Sequence, residues 1–215
     1  MKITYITHSC FIIETEDLAL LFDYYGEKDL PKIDKKLIVL ASHSHYDHYN
    51  EVIFNLNATK FIISDDIETE EKDNLIFVKP GDKVTCEGIE FSIHGSTDLG
   101  VSFSFKLEGK NIYFAADNNI WLWDEEYAYM PKAFKDNIAT LKDVDIAFLP
   151  VDPRLEKNAY LTAFDIYNEY KVKNIIPLHL WNDYTMGDKL IEEFNKNNII
   201  VDVFNYKDNY ETKEL

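Results

Sequence analysis

The segment Ala41-Ser42-His43-Ser44-His45-Tyr46-Asp47-His48 contains three of the six histidines of the chain within six positions. Alternate residues of an extended segment share a face, so His43 and His45 can point at one metal ion. Asp47 and His48 are consecutive and diverge, which suits them to a second, neighbouring ion. Imidazole nitrogens and carboxylate oxygens are common ligands of zinc and other divalent first-row metals. A solvated loop rich in histidine is the alternative, but so dense a cluster favours a metal site.

A His or Asp also follows each of four apolar stretches that are typical of buried strands. These residues are His43, His94, Asp117 and His179. Functional sites of layered α/β folds collect where strands end and loops begin. Taken singly, His94 or His179 is more typical of a structural histidine. Four strands that deliver such residues together predict one metal site at a common edge.

The order of strands and helices predicts a layered α/β architecture. With 215 residues, 46% of them hydrophobic, the chain is expected to form a single domain over residues 1–215. The first half is mainly strand and opens with a hairpin within residues 2–22, whereas the second half alternates helix and strand and closes with a strand at 199–204. The predicted helices occupy residues 48–57, 125–140, 162–170 and 187–197. Two mixed β-sheets packed face to face with helices outside, a four-layer αββα sandwich, accommodate this order.

The charge balance argues against nucleic acid as a partner. The chain has 39 acidic and 22 basic residues, which give a formal net charge of −17. Nucleic-acid binding depends on neutralisation of phosphates by Lys and Arg, so such a field repels nucleic acid, and it disfavours anionic membrane surfaces for the same reason.

The cysteines and the amino terminus favour a cytoplasmic protein. Cys10 and Cys86 are each flanked by strand-like sequence and are predicted to be buried free thiols, with a disulfide in an oxidising compartment as the alternative. The first residues run directly into strand-like sequence without the apolar core of a signal peptide. No uncharged stretch approaches the length of a membrane span.

The motif His43-x-His45-x-Asp47-His48, followed by His94, Asp117 and His179, resembles the ligand pattern of the metallo-β-lactamase superfamily. Within it, the chain is similar to small metal-dependent hydrolases related to the ascorbate-6-phosphate lactonases, a similarity that Thr7-His8-Ser9, His94-Gly95-Ser96 and Ile176-Pro177-Leu178-His179 support. The resemblance covers nearly the whole chain and implies the αββα sandwich with a two-metal site. It implies that His43, His45 and His94 hold the first ion, that Asp47, His48 and His179 hold the second, and that Asp117 bridges them.

The sequence departs from the family pattern at three positions. The family usually has Gly before the bridging Asp and Thr after it, where this chain has Ala116 and Asn118. Many relatives have Asp-Pro after the second strand, where this chain has Asp23-Tyr24. These differences affect the assignment within the superfamily more than the metal site, because the ligands themselves are present.

A two-metal site predicts a hydrolase. We expect two divalent ions, zinc in the first place and otherwise manganese or iron, to hold a bridging hydroxide that attacks a small ester, lactone or phosphoester. Asp47 is the predicted catalytic residue, which orients that hydroxide and shuttles its proton. His8 is a candidate donor beside the site, with an ordinary core role as an equal alternative.

Substrate contacts are predicted from aromatic residues near the ligands and from a single arginine. The aromatic residues are Tyr24, Tyr25, Trp121, Trp123, Trp181 and Tyr184. Ordinary packing beneath loops is the alternative for all of them. Arg154 follows an apolar strand and is the only arginine of the chain, so it is a candidate to bind an anionic group of a small-molecule substrate. A surface ion pair is its alternative role.

Two other functions are compatible with the same metal site. One is a metal-dependent nuclease or phosphodiesterase, against which the charge of −17 argues. The other is a non-catalytic metal-binding protein, against which the complete ligand set argues. The sequence does not identify the substrate or the oligomeric state.

Overall fold

The computed structural model describes all 215 residues and contains two mixed seven-stranded β-sheets. The first sheet has the order β14-β1-β2-β3-β4-β5-β6. Its strands are β1 (Lys2–Thr7), β2 (Cys10–Glu14), β3 (Leu18–Phe22), β4 (Lys36–Ala41), β5 (Lys60–Ser64), β6 (Leu75–Val78) and β14 (Thr212–Glu214). Strands β3, β4, β5 and β6 are parallel, and the β1, β2 and β14 pairings are antiparallel.

The second sheet has the order β13-β12-β11-β10-β9-β8-β7. Its strands are β7 (Lys83–Cys86), β8 (Ile89–Gly95), β9 (Val101–Leu107), β10 (Lys110–Phe114), β11 (Ile146–Pro150), β12 (Asn174–Leu178) and β13 (Asp202–Val203). Here β7 to β10 pair antiparallel and β10 to β13 pair parallel. Both sheets therefore combine an antiparallel part with three or more adjacent parallel strands.

The main core lies between the two sheets. Its aromatic residues interdigitate from opposite sides, as where the ring of Phe22 in β3 lies 4.4 Å from that of Phe114 in β10. Phe11 in β2 and Phe148 in β11 meet in the same way, with centroids 5.2 Å apart. This core belongs to a cluster of fifty buried residues that also includes helix residues such as Phe134 and Phe194. Burial of this much apolar surface is the main force that holds the sheets together.

Three α-helices lie on the outside of the sandwich against the second sheet, in keeping with the αββα prediction. They are α1 (Met130–Asn137), α2 (Leu161–Tyr170) and α3 (Thr185–Lys196). The outer face of the first sheet is covered more thinly, by a 3-10 turn at Glu51–Asn55 and by loops that pack over a second cluster of 13 buried residues. No helix of the chain combines the length and the apolar character that crossing a membrane requires.

Several predicted elements differ from the structure. Residues 2–13 form a hairpin by themselves, because the chain turns at His8, whose φ is 47°. The predicted helix at 48–57 is only the turn Glu51–Asn55, since its Val, Ile and Asn residues are weak helix formers. The helix at 125–140 is interrupted, because Pro131 lacks an amide donor and begins α1 instead.

The carboxyl-terminal strands were also predicted incompletely. The closing strand at 199–204 is reduced to β13 (Asp202–Val203), and β14 (Thr212–Glu214), which pairs with β1, was not predicted. Strands of two or three residues carry almost no periodicity, so a sequence pattern cannot reveal them. Cys10 and Cys86 are buried free thiols, as predicted.

Candidate metal centre

The candidate site lies at the edge where the parallel strands of both sheets end. Because β3, β4 and β5 are parallel, the loops that follow them meet at one edge of the first sheet. The loops after the parallel strands β10, β11 and β12 meet at one edge of the second sheet. These loops carry Asp23, the His43–His48 segment, Asp117, Asp152 and His179. The fold therefore brings polar residues that are far apart in sequence to one place.

One ligand group consists of His43, His45, Asp98 and Asp117. One potential ligand atom from each lies within 4.8 Å of the others. His43 Nε2 is 3.8 Å from Asp117 Oδ2, and His45 Nδ1 is 3.6 Å from Asp98 Oδ2. Ligand atoms of a tetrahedral zinc ion lie about 3.4 Å apart, given bonds of about 2.0–2.1 Å. The group therefore has nearly the spacing that a bound ion requires.

The second ligand group consists of His8, Asp47, His48 and His179, all of which are buried. His8 Nε2 lies 3.3 Å from Asp47 Oδ2. Asp117 reaches this group as well, because its Oδ1 is 3.2 Å from His48 Nε2 and its Oδ2 is 3.3 Å from His179 Nε2. The carboxylate of Asp117 thus lies between the two groups.

The buried carboxylate of Asp23 orients the histidines delivered by the first sheet. Its Oδ2 lies 2.8 Å from His48 Nδ1 and accepts a 2.8 Å hydrogen bond from Ser42 Oγ. Its Oδ1 accepts the backbone N–H of Ser42 at 2.8 Å. Ser42 Oγ is in turn 2.9 Å from His43 Nδ1. Asp23 therefore fixes two rings, so that their Nε2 atoms face the site.

Asp152 has the same role for the second sheet. Its Oδ2 lies 2.9 Å from His179 Nδ1 and accepts a 3.2 Å hydrogen bond from Trp181 Nε1. Arg154 donates from Nε to both carboxylate oxygens, at 3.0 and 2.9 Å. These contacts lower the pKa of Asp152 to about 2, because His179 and Arg154 outweigh the effect of burial. Asp152 is therefore an anion that holds His179 in one orientation.

The ionisation of the cluster follows from the same contacts. Burial by itself lowers the pKa of His179, but the carboxylates of Asp117 and Asp152 raise it to about 9. Burial likewise opposes the charge on His48, but Asp117 and Asp23 hold its pKa well above the usual value. Burial lowers the pKa of His43 to about 4, and the nearby His48 adds to this effect. Without metal, these carboxylates therefore favour the protonated forms of His48 and His179, and metal binding competes with these protons.

Unpaired buried atoms show that the cluster fits metal ions. His43 Nε2, His48 Nε2 and Asp117 Oδ1 are inaccessible to solvent and make no hydrogen bond. His48 Nε2 and Asp117 Oδ1 are close to each other but not aligned for a hydrogen bond. Buried polar atoms are normally paired, because an unpaired one costs about 1–3 kcal/mol. Divalent ions, which bind imidazole and carboxylate, would satisfy all three atoms.

Four residues at the same edge have left-handed backbone conformations. The φ angles of His8, Asp23, Ala116 and His179 are 47°, 47°, 47° and 62°. Such conformations are rare outside glycine and are typical of functional sites, where the surrounding structure maintains them. Ala116, where the family resemblance implies Gly, adopts this conformation at a modest energetic cost.

A comparison with known protein families shows to which superfamily the chain belongs. The sequence profile described as "Beta-lactamase superfamily domain" matches residues 2–179. The chain belongs to the metallo-β-lactamase superfamily. The predicted superfamily and the αββα fold are therefore confirmed.

Individual relatives agree with this assignment. A UPF0173 metal-dependent hydrolase from Nanoarchaeum equitans is 29% identical over 203 residues, which cover 83% of this chain and 83% of that protein. A UPF0173 protein from Pyrococcus abyssi is 36% identical over 64 residues, 29% of this chain and 30% of that protein. A metallo hydrolase structure from Ignicoccus hospitalis superposes with a TM-score of 0.68 and 19% identity, and covers 100% of this chain and 98% of that chain. The prediction of a metal-dependent hydrolase is confirmed without its substrate or metal count.

Six of the seven predicted ligands come together in this superfamily member, and His94 does not. The six are His43, His45, Asp47, His48, Asp117 and His179. The two-residue period of β8 explains the error: Ile93 faces the core, so the adjacent His94 points to the outer face of the sheet. There its Nδ1 is 3.1 Å from Thr140 Oγ1 and its Nε2 is 2.7 Å from Ser104 Oγ. His94 is a buried structural histidine whose pKa is lowered to about 4 by burial.

The sequence analysis missed three residues of the site. Asp23 and Asp152 follow the buried strands β3 and β11, so the rule that indicated Asp117 and His179 would also have indicated them. Asp98 lies three residues beyond the end of β8, and no pattern in the sequence indicates that its loop folds back onto the His43 segment. Only the tertiary structure reveals it.

An open cleft of about 420 Å³ leads to the metallo-β-lactamase site. Its walls include His45, Asp117 and the rings of Trp121, Trp123 and Trp181. The predicted tyrosines do not line it: Tyr24 packs in the second core cluster, Tyr184 packs against Tyr5, and Tyr25 is also absent from its walls. The tryptophans thus give the cleft an aromatic wall that faces the polar cluster.

Arg154 and His8 both border this region. The guanidinium carbon of Arg154 lies 4.7 Å from the ring centre of Trp181 and 5.6 Å from that of Trp123. Arg154 therefore stacks on the cleft wall while it also binds Asp152. The centre of the His8 ring is 4.8 Å from that of Trp181, and its Nε2 is 3.3 Å from Asp47 Oδ2. The surface ion pair considered for Arg154 exists, but with a buried partner that holds His179.

Proposed function

We propose that the chain is a binuclear metal-dependent hydrolase that acts on a small ester, lactone or phosphoester. The observation that carries this function is the position of Asp117, whose two carboxylate oxygens lie within 3.8 Å of histidines of both ligand groups. A carboxylate shared in this way is what a pair of neighbouring ions requires. A single ion would need only three or four of these ligands.

In this proposal His43 and His45 bind the first ion, Asp47, His48 and His179 bind the second, and Asp117 bridges them. Zinc is the first choice, with manganese or iron as alternatives, because the ligands combine imidazole and carboxylate. A pair of divalent ions would lower the pKa of a bound water and polarise the carbonyl or phosphoryl oxygen of the substrate.

Asp47 is the proposed catalytic residue. It lies on the wall of the cleft, and its Oδ2 is 3.3 Å from His8 Nε2. Burial opposes the charge of Asp47, but His8 and His48 hold its pKa well below the usual value. An ionised carboxylate in this position can orient the attacking water and accept its proton. His8 is the proposed positioning residue for Asp47.

The walls of the cleft suggest the class of substrate. A cleft of about 420 Å³ suits a small molecule rather than a polymer. Trp181 offers an aromatic surface, and Arg154 has N–H groups that Asp152 does not occupy. We propose that these two residues contact a substrate that has an apolar part and an anionic group.

Metal analysis and a substrate screen test this function. The metal-saturated protein is expected to bind two divalent ions per chain, and a chelator should abolish turnover that is then restored by metal. The screen should compare neutral and anionic lactones, esters, thioesters and phosphodiesters. A saturated protein that binds one ion, after loss during purification has been excluded, would contradict the binuclear site.

The alternatives correspond to other outcomes of the same screen. Preferential cleavage of nucleic acid would indicate a nuclease, despite a net charge of −17. Two bound ions without turnover of any substrate class would indicate a non-catalytic metal-binding protein. The cytoplasmic location and the single domain of residues 1–215 stay predictions.

A further inference from the structure

The first ligand group lacks a third histidine, because His94 faces the other side of its sheet. We infer that Asp98 takes the place that the family resemblance gives to His94, and that it binds the first metal ion together with His43, His45 and Asp117. This inference rests on the two-metal site proposed above. It adds a ligand from the loop between β8 and β9, which the His-x-His-x-Asp-His motif does not include.

The geometry at Asp98 suits a ligand on the cleft side of the first metal ion. Its Oδ2 lies 3.6 Å from His45 Nδ1, close to the separation of two ligand atoms on one ion. His43, which completes the same group, is fully buried and its Nε2 has no hydrogen-bond partner. Asp98 itself is 42% exposed and lies on the cleft wall, so the first ion would be reached from the cleft.

Gly100 fixes one end of the Asp98 loop against the His43 segment. The amide of Val101 donates a 2.9 Å hydrogen bond to the carbonyl of Ser42. Gly100 has φ 67°, and a Cβ at this position would lie 2.1 Å from that carbonyl oxygen and 2.6 Å from His43 Cβ. Only glycine therefore permits so close an approach, which keeps Asp98 beside His43 and His45.

Thr97 fixes the other end of the loop against the Asp117 segment. Its hydroxyl donates a 2.6 Å hydrogen bond to the carbonyl of Asn119 and accepts one of 2.9 Å from the amide of Asn119. Asp98 thus lies between two anchored residues, each tied to a segment that carries another ligand of the same group. A ligand held in this way is preorganised for metal binding, which distinguishes Asp98 from an acidic residue that lies near the site by chance.

An aspartate in place of a histidine also changes which metal the first site prefers. His43, His45, Asp98 and Asp117 together provide two nitrogen and two oxygen atoms. Carboxylate ligands suit manganese better than imidazole does, whereas imidazole suits zinc. The first site should therefore discriminate less strongly in favour of Zn²⁺ over Mn²⁺ than a site with three histidines.

Metal titration of four proteins tests the inference without an activity assay. The metal-free parent, Asp98→Ala, Asp98→His and His94→Gln are titrated with Co²⁺, Zn²⁺ and Mn²⁺ in competition with a chromophoric chelator, and the visible spectrum of the Co²⁺ forms reports the ligands. Thermal unfolding of the metal-free proteins confirms that each variant is folded. Asp98 is in an exposed loop, so its replacement should leave the fold intact, and His94→Gln is the control for the alternative ligand.

We expect Asp98→Ala to bind one of two ions at least tenfold more weakly and to change the Co²⁺ spectrum. Asp98→His should recover tight binding and raise the ratio of Zn²⁺ to Mn²⁺ affinity at the first site about tenfold. His94→Gln should bind metals like the parent. An Asp98→Ala protein that binds both ions like the parent, or a His94→Gln protein that loses one, overturns the inference but leaves the two-metal function intact. A parent that binds only one ion overturns both.

Discussion

The two sheets deliver histidines to the site in the same way but surround them differently. In the first sheet, Asp23 binds only Ser42 and His48, and all three are shielded from solvent. In the second, Asp152 is equally buried but also binds Arg154, whose side chain is 49% exposed on the cleft wall. The same carboxylate–histidine arrangement is therefore sealed in one half and connected to the cleft in the other.

This difference separates two tasks within one site. The Asp23 half can do little except hold His48 and His43 for the metal, because nothing in it contacts the cleft. The Asp152 half holds His179 on one side and two groups available to substrate, Arg154 and Trp181, on the other. We therefore expect changes in the first half to alter metal affinity alone, and changes in the second to alter substrate binding as well.

The largest effect is expected where the two halves meet. Asp117→Asn removes the charge of the one carboxylate that lies beside histidines from both halves. Loss of a single outer contact of a metal ligand typically costs about 10–100-fold in affinity, so loss of the shared ligand should exceed this and abolish turnover. Metal analysis of the folded variant checks this, and a variant that retains both ions at parental affinity would contradict the bridging role.

A smaller loss is expected for the catalytic residue itself. Asp47→Asn should keep the fold but lower kcat by roughly a hundredfold or more, as for other positioned acid–base groups. His8→Gln should lower kcat less, because His8 acts only through Asp47. Steady-state kinetics of both variants checks this division. Equal losses would show that the two residues act as one unit or that their roles are wrongly assigned.

The matched pair Asp23→Asn and Asp152→Asn tests the comparison directly. Asp23→Asn removes the carboxylate that orients His48 and, through Ser42, His43, and Asp152→Asn removes the one that orients His179, so each should weaken metal binding by roughly 10–100-fold. Asp152→Asn should in addition raise KM, because Arg154 loses the carboxylate that holds its guanidinium in place beside Trp181 on the cleft wall. At saturating metal, Asp23→Asn should leave KM unchanged. If both variants change KM alike, the sealed and open halves do not differ in function.

Much of the fold and of this site could be predicted from the sequence, because both follow from strand patterns. The rule that ligands follow buried strands indicated Asp117 and His179 correctly as members of the cluster, since parallel strands place their carboxyl ends at one edge. The same rule was wrong for His94, because it ignored the alternation along β8, in which Ile89, Phe91 and Ile93 face the core and His94 falls on the other face.

Other features depend on contacts that no local pattern records. Asp98 joins His43 and His45 only because Gly100 lets its loop approach Ser42 closely, a contact between segments more than fifty residues apart. Arg154 was predicted as an anion-binding residue because it is the only arginine and follows an apolar strand. Its pairing with Asp152 was not predicted, because it depends on the turn after β11. Long-range packing decided the case of Asp98, and the local turn after β11 decided that of Arg154.

The smallest effect is expected for Arg154, because the structure gives it two tasks at once. Its Nε and one Nη are engaged by Asp152, so only the remaining N–H groups face the cleft, and the ion pair offsets much of its charge. Arg154→Ala should therefore raise KM for an anionic substrate by roughly tenfold, the low end of the range for a charged hydrogen bond. For a neutral ester of similar size, KM should change much less.

Replacement by lysine distinguishes the two tasks of Arg154. An ammonium ion keeps the charge but lacks the planar fork that binds Asp152 and stacks on Trp181 at 4.7 Å. Arg154→Lys should therefore recover only part of the selectivity for the anionic substrate, while metal affinity falls slightly in both variants because Asp152 loses a partner. If Arg154→Ala lowers metal affinity but treats both substrates alike, Arg154 only supports His179. In that case the cleft does not select for anions, and the open half differs from the sealed half in exposure alone.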